Sequence, residues 1–144
     1  LIELAIQAQV KPLRATRFAN NGIYYKPLWH RVHISRALCA RLSDDDLRLI
    51  LAHEIGHASR RTAIWKTLLD ESWRIKEEIR ADEIALRISG ATKADWSRAI
   101  NATMEAEHIN DRPGEIVIRY AALENGYSKR KTFETKLANK INLN

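Results

Sequence analysis

The feature that most restricts how this chain can fold is the pentapeptide His53-Glu54-Ile55-Gly56-His57. On a helix, residues four apart stand on one face about one turn apart, so both imidazoles project together. Two such rings suit two corners of a tetrahedral zinc site, with Glu54 between them in reach of a water at the ion. A third ligand must come from another element. The expected donor is Glu78, in Glu78-Ile79-Arg80-Ala81-Asp82 on the next long helix, with Asp82 one turn further on.

The surroundings of both motifs support this reading. Ser43-Asp44-Asp45-Asp46 is a strong helix start, with Ser43 as N-cap, Asp46 at the capping-box position and acidic side chains at the positive end of the dipole. Leu47, Leu49, Ile50, Leu51 and Ala52 look like core, so imidazoles on that helix are drawn inward and need partners. Gly56 costs roughly 1 kcal/mol relative to alanine inside a helix, which a close approach by a strand or by substrate would explain. Downstream, Ile75, Ile79, Asp82 and Leu86 form one helical stripe that includes Glu78. Two carboxylates in an apolar stripe are costly to bury without a cation. Glu78 is expected to ligate, and Asp82 to accept the other ring N–H of a ligating histidine and set its tautomer. The bland alternatives are a pair of satisfied histidines, and an acidic face with Glu77 and Glu83 alternating with Arg74, Lys76 and Arg80.

At 144 residues the chain is one expected domain, residues 1–144, with the tail 127–144 frayed or disordered. It is 45% hydrophobic and 29% charged, as globular proteins are. No apolar run is long enough to span a membrane. The first residue is Leu1 rather than Met, as in a processed or excised segment. The net charge of +6 is scattered, and its tightest run is Lys129-Arg130-Lys131; a solvated surface accounts for it. With no recognised nucleic-acid motif, a nucleic-acid partner is not expected. The single cysteine, Cys39, excludes an internal disulfide and, with no leader, favours the cytoplasm.

Read in order, residues 1–10 suggest a short amphipathic helix. Residues 16–19 and 22–25 read as β-favouring segments separated at Asn20-Asn21-Gly22, an Asn-Gly hairpin signal. His30 to Ser35 alternates as a strand with one buried face. Helices are expected from Ser43 to about Arg60, from Thr62 to Ser89 with Gly90 as the stop, from Thr92 to about Asn110, and over 115–124. The fold class is α+β: a small, mostly antiparallel sheet packed on a helical core.

These residues together carry a family likeness. The histidine motif followed by Glu78-Ile79-Arg80-Ala81-Asp82 resembles the gluzincin zinc metallopeptidases, specifically the family of HtpX and the CAAX prenyl endopeptidases. Val32-His33-Ile34-Ser35 and Leu42 to Leu47 look like that family's strand–helix approach, and Arg119-Tyr120-Ala121-Ala122-Leu123 like its arginine helix. Arg112-Pro113 stands where the family often has His-Pro. The resemblance implies a minimal zincin-like catalytic domain holding one Zn²⁺ and hydrolysing a protein or peptide. Glu54 would be the general base and Arg119 the donor to the oxyanion, with His108 and Tyr120 as weaker candidates. Residues Val32, His33 and Ile34 are expected to form an edge strand that binds substrate by β-augmentation. His30 and His33 are not expected as ligands, and Trp29, Trp65, Trp73 and Trp96 are expected in packing. The alternative is a zinc-holding regulatory or interaction domain without hydrolysis. Glu54 argues against it, because a structural site needs a fourth protein ligand and no cysteine stands at ligand spacing.

Overall fold

A computed structural model describes residues 1–11, 13–19, 22–59, 70–107 and 114–126. The elements are α1 (Ile2–Gln7), β1 (Arg14–Ala19), β2 (Ile23–Lys26), β3 (Arg31–Ser35), α2 (Arg36–Cys39), α3 (Asp44–Ala58), α4 (Glu71–Ser89) and α5 (Lys93–Glu107), followed by α6 over residues 114–126. The architecture is α+β, a small sheet against a helical core, as expected.

The sheet differs from expectation in its pairing. Its strand order is β1-β3-β2, so β3 is the central strand. β1 runs parallel to β3, with Arg14 opposite Arg31, and β2 runs antiparallel to it, with Lys26 opposite the same Arg31. The sheet is therefore mixed, and the segment around Gly22 does not close a hairpin between paired neighbours. The tight turn is instead at residues 27–30, where the His30 N–H approaches the Pro27 carbonyl at 3.4 Å and His30 takes a left-handed φ of 50°. Val32 is fully buried in β3, as suits a residue flanked on both edges.

The helix signals behave as local chemistry dictates. The Ser43 hydroxyl accepts the Asp46 N–H at 3.2 Å and donates to its carboxylate at 2.6 Å, starting α3. Gly90, with φ of 72°, ends α4, which begins at Glu71. Residues 62–69 of the expected longer helix lie outside the described residues, as do residues 127–144. At the start of α5, Thr92 and Asp95 exchange backbone-to-side-chain bonds in a capping box. The core gathers Val32, Leu38, Leu49, Ile50, Ile55, Ala85, Ile88, Trp96 and Leu123 between the sheet and the helices. Trp96 is core as expected, whereas Trp29 is 60% exposed and corrects that expectation; Trp65 lies outside the described residues.

Candidate metal centre

The two long helices α3 and α4 meet where their side chains are smallest. A Cβ added to Gly56 would sit 2.8 Å from the Ala81 Cα and 2.9 Å from its carbonyl oxygen. Real side chains do not tolerate such contacts, so glycine is required for this approach. The neighbour that demands Gly56 is thus the backbone of α4, not the strand or substrate that the sequence suggested. On α4 the contact face uses Ala81 and Ala85, both fully buried, while Ile75 and Ile79 are half-buried. Close packing of backbones sets the distance across which shorter side chains can meet.

Across that seam, His53 and His57 from α3 face Glu78 from α4. The His53 and His57 Nε2 atoms are 3.0 Å apart. Glu78 places Oε2 3.2 Å from His53 Nε2 and Oε1 3.4 Å from His57 Nε2. One donor atom from each lies within 4.8 Å of the other two, a grouping able to hold a metal ion. Three corners of a tetrahedron with bonds of about 2.0–2.1 Å are separated by about 3.3–3.4 Å. The separations of 3.0 Å between the two Nε2 atoms and of 3.2 and 3.4 Å from them to the two Glu78 oxygens are close to that edge, so the residues present fit a small tetrahedral cation.

Behind the donors lies a second layer of charge. His53 Nδ1 bonds the Asp82 carboxylate at 2.7 Å, and Asp82 is fully buried. Arg119 on α6 grips Asp82 with Nε on Oδ2 and Nη2 on Oδ1, both at 2.7 Å. Its remaining nitrogen, Nη1, is 3.3 Å from Glu78 Oε2 and 3.7 Å from Glu115 Oε1. All three guanidinium nitrogens therefore face carboxylates, and the Arg119 guanidinium also lies 5.5 Å from the Trp96 ring. Burial alone would lower the His53 pKa, but Asp82 and Glu78 overcome it and raise it to about 10. Burial likewise opposes ionisation of Glu78, yet the two histidines hold its pKa well below the usual carboxylate range. Without a metal, the carboxylates thus draw a proton onto His53.

Glu54 sits on the sheet side of α3. Its Oε2 accepts the Tyr25 backbone N–H of β2 at 2.6 Å, and burial raises its pKa. That bond shows that the β2 backbone at Tyr25 points away from β3 and towards α3. The strand beside the site is consequently β2. This corrects the expectation for Val32, His33 and Ile34: β3 is paired on both edges and cannot accept an added strand. Of these, Val32 is core and His33 stacks on Tyr24 with ring centroids 5.2 Å apart. His30 bonds Tyr25 Oη and the Lys11 carbonyl oxygen, away from the donor triangle. Tyr120 packs beside Trp96, and His108 lies outside the described residues.

Sequence reasoning missed one pair. Glu77 is buried and holds Arg80 through both carboxylate oxygens. Arg80 then donates to the Gly56 carbonyl at 2.9 Å and to Ser59 Oγ at 2.8 Å, which caps the C-terminal end of α3. The i,i+3 spacing of Glu77 and Arg80 is the signal in the sequence.

No curated protein and no solved structure matches the chain. The family model of peptidase family M48 matches residues 24–75, from β2 through the histidine helix and into α4. The match ends three residues short of Glu78, so the third donor rests on the geometry above. Over the segment that carries His53, Glu54 and His57, the chain is similar to peptidase family M48.

Proposed function

We propose that the chain is a zinc-dependent endopeptidase of the HtpX and CAAX prenyl endopeptidase kind. The observation that carries this reading is the cluster of donor atoms from His53, His57 and Glu78: the two Nε2 atoms are 3.0 Å apart, and Glu78 sets Oε2 3.2 Å from that of His53 and Oε1 3.4 Å from that of His57. These three residues would hold one Zn²⁺. When bound, such an ion polarises the scissile carbonyl and makes water acidic enough to be deprotonated near neutral pH.

The rest is work for the chain's own side chains. Asp82 keeps the proton on His53 Nδ1, which turns the lone pair of Nε2 towards the other donors. Arg119 neutralises Asp82 and Glu78 from behind, so its role here is positioning rather than oxyanion binding. Glu54 is anchored at one oxygen by the Tyr25 N–H and is the proton acceptor. A substrate in extended form would lie along β2, the strand whose outward backbone faces α3.

Metal analysis beside a peptide-library digest tests this reading. Glu54→Gln should bind zinc as the wild type does and lose activity by roughly 10²–10⁴-fold, the usual worth of a positioned base. Equal digestion by both proteins would remove Glu54 from the chemistry. Zinc held at one ion per chain with no digestion by either protein would favour the regulatory reading.

A further inference from the structure

The outward face of the sheet carries a feature that peptide hydrolysis does not use. Arg14 of β1 pairs with Arg31 of β3, and Arg31 pairs with Lys26 of β2. Directly paired residues share a face, so three cations form one row across all three strands. The row spans about 10 Å, two inter-strand spacings. Like charges directly opposite one another destabilise a sheet, and among the described residues none of the three makes an ion pair. Lys26 instead lies over the rings of Tyr24 and Trp29 at 5.5 and 5.4 Å. The turn beside the row projects Leu28, 67% exposed, and Trp29, 60% exposed. Lys11, also exposed, is brought to that turn by the bond between its carbonyl oxygen and His30. The field of the row is felt nearby: His33, in the next register, has its pKa lowered by burial and then by Lys26 and Arg31.

From these juxtapositions we infer that the outward sheet face docks on an anionic membrane surface, with Leu28 and Trp29 entering the interfacial layer. A plane of headgroups can answer three coplanar cations at once, and exposed leucine and tryptophan beside lysine and arginine are the side chains that partition there. Nucleic acid fits less well. Successive bases need several open ring faces, whereas Tyr24 has His33 stacked on it and Lys26 over the ring, and Lys26 also lies over Trp29. The inference stands independently of the metal site.

The test is sedimentation of the full chain with vesicles of phosphatidylcholine, alone or mixed with phosphatidylserine, at low and raised salt. The wild type should sediment with the mixed vesicles only, and raised salt should release it. Each basic side chain near such a surface is worth about a fivefold change in partitioning, so R14Q/K26Q/R31Q should bind about a hundredfold more weakly. L28S/W29S should bind more weakly while keeping its salt dependence, and Glu54→Gln should bind like the wild type. A wild type that ignores phosphatidylserine, or a triple variant that binds undiminished, overturns the inference. Preferential capture by polyuridylate or polyglutamate over the mixed vesicles overturns it too.

Discussion

Two concentrations of charge in this molecule are built on opposite rules. In the seam between α3 and α4, His53, His57, Glu78, Asp82 and Arg119 are wholly or largely buried, and each faces another within 3.4 Å. On the outward face of the sheet, Arg14, Arg31 and Lys26 share one sign and one row. The first set answers its charges from within the chain. The second is open, and its answer must come from outside the chain. The lesson is that burial, not charge density, decides whether removing a side chain strands its neighbours or relieves them.

The largest effect is therefore expected at Arg119. Arg119→Met keeps the volume but leaves Asp82 and Glu78 without their shared cation, and breaking a buried pair from one side costs about 3–5 kcal/mol. Urea unfolding of the chelated protein measures it. A loss below about 1 kcal/mol, the scale of an exposed pair, would place the seam under the same rule as the sheet face. Next comes Gly56→Ala, which forces the Ala81 backbone away and should cost about 1–3 kcal/mol as an overpacked contact. It should also spread the donor triangle, so zinc affinity falls with stability. Unchanged affinity in titrations would mean that the helices close around the ion by another route.

The seam was largely legible in the sequence, and the sheet largely was not. Ser43, Gly90 and Thr92 announce helix ends through bonds made within a few residues. The spacing of His53 and His57 reads directly as geometry because a helix fixes which residues share a face. Glu78 could be paired with them because two helices need only one contact to align. Strand order follows no such local rule. Asn20-Asn21-Gly22 has turn chemistry, yet β1 and β2 are separated by β3, whose fully buried Val32 competes for the central position. The row of cations was invisible for the same reason, since Arg14, Lys26 and Arg31 become neighbours only through that order. Trp29 could not be separated from core tryptophans by type alone. Gly56 was recognised as costly, but its partner Ala81, twenty-five residues on, needed the helix pairing to be known first.

Proton binding sharpens the contrast further. In the chelated protein the His53 pKa is raised from 6.5 to about 10, so its contribution to stability is complete below 6.5 and is lost as pH climbs through 10. Glu78 and Asp82 have lowered pKa values, so their contributions are present above the ordinary 4.5 and 3.8 and vanish in acid. The chelated protein should thus be most stable between about pH 4.5 and 6.5, with its thermal midpoint falling on both sides. Under the proposed function, zinc would take the place of a proton on His53, so loading should release protons and remove much of the alkaline decline. Thermal scans with chelator and with zinc across this range test the pair of statements. An alkaline limb identical in both would mean that His53 is not a ligand.

The smallest effect is the one of opposite sign. Arg31 is the middle member of the cation row, with Arg14 on one side and Lys26 on the other. Among the described residues it makes no ion pair, so its removal strands no carboxylate. Arg31→Gln keeps a long side chain on the pleated surface and deletes two like-charge contacts at once. Such contacts are each worth about 0.2–1 kcal/mol, so the variant should be no less stable than the wild type and should gain by a few tenths. The gain should shrink as salt is raised, because the Debye length then falls below the spacing of the row and exposed charges further apart than that length are largely screened. Urea unfolding at low and high ionic strength reads both. A clear loss of stability would show that Arg31 is answered from within the chain, and the division between a closed seam and an open face would fail at that residue.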